Sequence, residues 1–92
     1  MIRACKGSDT EKLVNREFCK KFSAIEKVCR LRLDRLHAAT TLEDLAAIPG
    51  HRLEKLEGYR KDQYSIRTND QYRICFKWRD GGAYKVEVVD YH

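Results

Sequence analysis

Tyr72-Arg73-Ile74-Cys75-Phe76-Lys77-Trp78-Arg79-Asp80-Gly81-Gly82-Ala83-Tyr84-Lys85-Val86-Glu87-Val88-Val89-Asp90 is the stretch whose reading decides the fold. Two runs rich in β-branched and aromatic residues, Tyr72 to Trp78 and Ala83 to Asp90, flank Asp80-Gly81-Gly82. Asp-Gly between such runs signals a hairpin, because a tight turn that matches strand twist needs positive φ at its centre. Upstream, Leu53 to Leu56 and Tyr64 to Thr68 continue the period-two pattern, with Gly58 and Asn69-Asp70-Gln71 as the connecting turns. Tyr72, Ile74, Phe76 and Trp78 fall on one side of their strand, and Tyr64 and Ile66 belong to the same core-facing set. The other side gathers Arg67, Arg73 and Lys77, three cations on a face expected to be uncovered, where arginine's planar fork suits phosphate.

The first half of the chain reads differently. Ile2 to Cys5 suits a short strand, and Ser8-Asp9-Thr10-Glu11 offers a helix start for a brief helix to about Arg16. Residues 17 to 22 form a basic connector. Ser23-Ala24-Ile25-Glu26 has the capping-box pattern, and from it Ile25, Val28, Cys29, Leu33 and Leu36 recur at helical spacing, with Lys27, Arg30, Arg32 and Arg35 on the other side. Thr41-Leu42-Glu43-Asp44 repeats the capping logic for a short helix that Pro49-Gly50 ends. Helices followed by a meander predict an α+β fold, with N-terminal helices packed on one face of an antiparallel sheet of four to five strands.

Composition narrows the function. At 92 residues the chain has room for a single domain, residues 1–92, and its 42% hydrophobic content is too high for a disordered tail. Lys and Arg outnumber Asp and Glu by 19 to 14, a net charge of +5 that favours an anionic partner such as nucleic acid. No apolar run is long enough to cross a bilayer and no secretory signal pattern opens the chain, so a cytoplasmic protein without membrane contact is expected. Cys5, Cys19, Cys29 and Cys75 lack paired spacing and read as small buried hydrophobes. His37, His51 and His92 show none of the spacings of a zinc site, so neither metal nor cofactor is expected.

The chain ends on Asp90-Tyr91-His92. Strand alternation puts Asp90 and His92 on one face, where the carboxylate can orient the ring, with Tyr91 on the other. This is an acid/base group. Imidazole, with a reference pKa near 6.5, serves as base or acid around neutral pH. The competing reading is a non-enzymatic nucleic-acid binder, in which the same arginines position phosphates and the triplet merely finishes the last strand.

From Leu53 onward the chain resembles a HigB-type toxin of the RelE superfamily. The matching strings are Leu56-Glu57-Gly58-Tyr59-Arg60, then Ser65-Ile66-Arg67-Thr68-Asn69-Asp70-Gln71-Tyr72-Arg73-Ile74-Cys75-Phe76, then Val88-Val89-Asp90-Tyr91-His92. The resemblance implies a RelE-like fold and a ribosome-dependent endoribonuclease that cleaves messenger RNA in the decoding site of the 70S ribosome. It also implies suppression by a cognate helix-turn-helix antitoxin of the HigA type, through which alone operator DNA is met. Carried over, Arg73 matches the arginine that holds the scissile phosphate, and Asp90, Tyr91 and His92 match the C-terminal catalytic group. Cleavage of this kind uses the RNA's own 2′-hydroxyl, so Arg73 would offset phosphoryl charge, His92 would move the proton, and Tyr91 would stack or orient. Some relatives carry a His and a Lys where this chain has Glu54 and Glu57; Glu54 is a candidate second base, and Lys55 and Arg60 stand in for the missing charge. Lys20, Lys21, Lys27 and Arg30 are expected to hold ribosomal RNA. A weakly active or inactive family member, kept for antitoxin binding and autoregulation, is the alternative within the same resemblance.

Overall fold

The computed structural model describes residues 1–90, so the expectations for Tyr91 and His92 lie outside the described residues. Strands β1 (Glu54–Lys55), β2 (Tyr64–Arg67), β3 (Tyr72–Arg79) and β4 (Gly82–Asp90) pair antiparallel in the order β1-β2-β3-β4. The turn between β3 and β4 places Asp80 at φ 52 and Gly81 at φ 71, the left-handed pair expected of Asp-Gly. Ile2 and Cys5 bridge to β4 in parallel, through Arg3 N–H to the Ala83 carbonyl at 2.8 Å and Val86 N–H to the Ala4 carbonyl at 3.0 Å. The expected first strand is thus present as a parallel edge. Beyond it the Thr10 hydroxyl takes the Val88 N–H at 3.1 Å, so β4 has little bare edge left for another chain to pair with.

Helices α1 (Ser8–Val14), α2 (Glu26–Ala38) and α3 (Leu42–Ala46) cover one face of the sheet. Leu13, Phe22, Cys29, Leu33, Leu36 and Leu45 from this layer meet Ile66, Ile74, Phe76, Val86 and Val88 from the sheet. Phe76 is stacked with Tyr64 and meets Trp78 edge-on, as the period-two reading expects.

Local signals fared unevenly. Thr41 caps α3 with the full reciprocal box, its hydroxyl accepting from Asp44 N–H while the Asp44 carboxylate accepts from Thr41 N–H. The Ser23 box does not form. Lys20–Ile25 is a 3-10 helix kinked at Phe22, which runs directly into α2 with Ile25 at the N-cap and no side-chain cap. A residue already inside one helix cannot take the extended backbone an N-cap needs. Likewise Gly7, not Ser8, precedes α1.

One irregularity interrupts the β3–β4 ladder. Cys75 pairs with Glu87 and Lys77 with Tyr84, so β4 carries one extra residue in this interval. The bulge puts Lys85 at φ 52, a left-handed backbone that costs a non-glycine residue roughly 1 kcal/mol.

Candidate functional site around Arg73

The second face of the sheet is not bare, contrary to the sequence expectation. The segment from Leu56 to Gln63, after β1, crosses to this face as a flap: Leu56 is buried and lines a cavity with Val89, and Arg60 reaches Glu87, which pairs with Cys75. The Leu56 N–H donates to the Gln63 carbonyl at 2.9 Å and closes this flap. Beneath it Arg73 is 9% exposed, a buried cation rather than a surface one.

Among the described residues, neutral oxygens hold it. Nε donates to Ser65 Oγ at 2.8 Å, and Nη2 to the Arg52 carbonyl at 2.7 Å and the Ser65 carbonyl at 3.4 Å. Ser65 is fully buried, and as the residue paired beside Cys75 it shares Arg73's side of the sheet. Arg52 sits at φ 46, a left-handed turn that aims its carbonyl at the guanidinium. Neither residue has a site role in the sequence reading. A serine at an inward strand position was a legible signal, whereas nothing in the letter Arg at 52 announces such a turn.

Around this cation the face is polar. Glu54 pairs with Ser65 and therefore lies on Arg73's side, exposed. Arg60 is half-buried and donates to Gln63 Oε1 at 3.0 Å and Glu87 Oε1 at 3.3 Å. Arg67 stands directly opposite Arg73 in the ladder, and the Asp70 carboxylate that it grips offsets the repulsion of two like charges. Cys75, two residues along β3 from Arg73, is buried, and desolvation raises its thiol pKa despite Arg60 and Arg73 nearby, so it stays a thiol.

A cavity of about 230 Å³ opens beside Arg73's partner Val89, lined also by Leu56, Glu57, Tyr59, Arg60 and Asp90. Tyr59 stands at its rim, 95% exposed. Asp90 is exposed and accepts from Gln71 Nε2 at 3.0 Å. It pairs with Tyr72, in the row adjacent to Arg73 and Val89.

Other expected site residues are elsewhere. Lys55 pairs with Tyr64, on the helix side of the sheet. Lys77 lies farther along β3, bound to Asp62 at 2.7 Å. Lys20, Lys21, Lys27 and Arg30 belong to the helical layer; Arg30 is held by Glu26 at 2.7 Å and the Glu17 carbonyl at 2.8 Å, and Lys21 lies 4.0 Å from Asp9. Lys27 and Arg30 flank a wider, mostly apolar groove of about 760 Å³ along α2, which contains none of the residues around Arg73. No single groove unites the cations named from sequence, because strand alternation and the layer boundary separate them. Among the described residues no group of three His, Cys, Asp or Glu side chains is placed to hold a metal ion.

Comparison with known proteins bears on what this geometry serves. Over 61 residues the chain is 48% identical to Toxin HigB-1 of Vibrio cholerae serotype O1, a stretch covering 66% of this chain and 64% of the relative. It is 38% identical over 58 residues to an uncharacterised protein of Haemophilus influenzae, covering 63% of this chain and 57% of that one. The matches thus span less than two thirds of either relative. A crystal structure of the heterotetrameric YoeB–YefM toxin–antitoxin complex and a second solved YoeB–YefM complex, both from Staphylococcus aureus, share the fold over the whole chain and 98% of theirs, with TM-scores of 0.63 and 0.54 at 18% and 17% identity. The family model for HigB-like toxins, described as the RelE-like toxin HigB of type II toxin–antitoxin systems, matches residues 12–92, and the chain therefore belongs to that family.

Proposed function

We propose that the protein, as a single toxin domain over residues 1–92, is a cytoplasmic, metal-independent endoribonuclease that cuts messenger RNA on the ribosome. The observation that carries this reading is Arg73, a buried guanidinium held by Ser65 and Arg52 and paired in the ladder with Val89, which lines a polar cavity with Arg60 and Asp90. A cation held in place before substrate arrives stabilises phosphoryl charge without reorganisation, and deleting one such donor costs roughly 3 kcal/mol of transition-state stabilisation. In this reading the RNA 2′-hydroxyl attacks the neighbouring phosphorus and the 5′-oxygen leaves, giving a 2′,3′-cyclic phosphate and a 5′-hydroxyl. His92, oriented by Asp90, moves the proton, Tyr91 orients a base, and Glu54, on Arg73's side of the sheet, is a second candidate base. The ribosome supplies alignment of the attacking oxygen.

The partner in regulation is an antitoxin of the helix-turn-helix, HigA type, with operator DNA reached only through it. The solved neighbour named as a toxin–antitoxin complex supports an antitoxin as the partner. The test is cleavage of a message on purified 70S ribosomes. Wild type cuts; Arg73→Lys, which keeps the charge and loses the fork, falls about a hundredfold, and His92→Ala falls further. Equal cleavage by all three overturns the assignment.

A further inference from the structure

A second cavity, of about 500 Å³, lies at the hairpin end of the sheet and plays no part in the Arg73 site. It is lined by Asp62, Lys77, Trp78, Arg79, Tyr84 and Lys85. Tyr84 pairs with Lys77, whose alternation from Arg73 and Cys75 puts both on the flap side of the sheet. From Arg73 to Arg79 along β3 is about 20 Å at strand rise, so one extended strand of RNA can lie across both cavities.

Three features of the second cavity point to a ligand. The first is charge: Lys77, Arg79 and Lys85 face a lone carboxylate, Asp62. Asp62 is held by Lys77 Nζ at 2.7 Å, a hydrogen bond that lowers its pKa, and Lys85 lines the same cavity. The second is the aromatic surface. On the flap side the Arg79 guanidinium lies 4.8 Å over the Tyr84 ring, a cation–π pair beside the lysines, while Trp78, packed toward the core against Phe76, borders the cavity from its strand. The third is the bulge. Lys85 occupies a left-handed backbone position that glycine would fill without strain, and bulges of this kind re-aim a side chain.

We infer that this cavity is a second RNA site, where a nucleotide of single-stranded RNA stacks against the aromatic and guanidinium surfaces and its phosphates meet Lys85 and Arg79. Flat surfaces alternating with cations suit unpaired nucleotides, since every base has a π-face and every link a charge. An acidic peptide would use the cations and leave the flat surfaces idle. The inference rests on the nuclease reading for its biological purpose, but its physical test does not.

Trp78 is the chain's single tryptophan and contributes to the lining of this cavity, so its emission follows occupancy. A 2′-O-methylated oligouridylate hexamer, which cannot be cut, is titrated into the full-length protein. Saturable quenching is expected, weakened at least tenfold in Arg79→Glu/Lys85→Glu and about threefold in Lys85→Gly, which relieves the backbone while removing the charge. Arg73→Lys should quench like wild type. On ribosomes the double variant should raise KM and leave kcat. Absent quenching, quenching unchanged in the double variant, or tighter binding of an oligoglutamate peptide overturns the second site. If wild type cuts messages but Trp78 is silent, the second site alone falls; if Trp78 responds and nothing is cut, only the nuclease reading falls.

Discussion

Keeping a guanidinium inside a sheet requires acceptors for its donors, and at Arg73 these include, among the described residues, Ser65 and Arg52. Ser65→Ala leaves Nε without its acceptor in a buried place and should cost about 2 kcal/mol. Urea unfolding measures that loss, and message cleavage should fall with it because the cation is no longer held. Glycine matters at one nearby position. Gly50 adopts φ +85, and a Cβ there would meet Arg32 Nη2 at 3.0 Å. The arginine head can move aside but the backbone strain cannot, so Gly50→Ala should destabilise by about 1–2 kcal/mol in the same assay.

At the scale of elements, caps and bulges make opposite demands. The Thr41 box closes α3, and Thr41→Ala should lower stability by about 1 kcal/mol, read as an earlier urea midpoint. Ser23→Ala should change little, since its box is not formed. In the β4 bulge, Lys85→Gly exchanges left-handed strain for a more flexible unfolded chain. Strain relief should win by about 0.5 kcal/mol, raising Tm by about 3 °C while the variant loses oligonucleotide affinity. A lower Tm would show that the bulge is not strained.

For the whole molecule, pH dependence below neutrality centres on His51. The ring is fully buried, with Nδ1 3.2 Å from the Leu45 carbonyl and Nε2 without a partner among the described residues. Burial lowers its pKa, Arg32 lowers it further, the Leu45 contact raises it somewhat, and Arg35 adds to the lowering. A depressed histidine binds fewer protons folded than unfolded. Its contribution is therefore complete above the unfolded value near 6.5 and drains away as pH falls below it. Tm should drop between pH 7.5 and 5, and the slope should flatten in His51→Gln; equal slopes would place the sensitivity elsewhere.

Most of the architecture was legible because period-two alternation, the Asp80-Gly81 turn and the Thr41 box act over a few residues, where sequence and geometry are tied directly. The resemblance strings likewise identified the family. Tertiary structure decided which cations share a surface. With Arg52 and the residues after β1 brought to this face, Arg73 is a buried charge rather than a surface one, and a single extra residue in β4 accompanies the placing of Lys85 in one cavity with Asp62. Long-range packing and ladder register fix such placements, and neither leaves a mark on the local run of amino acids that it rearranges.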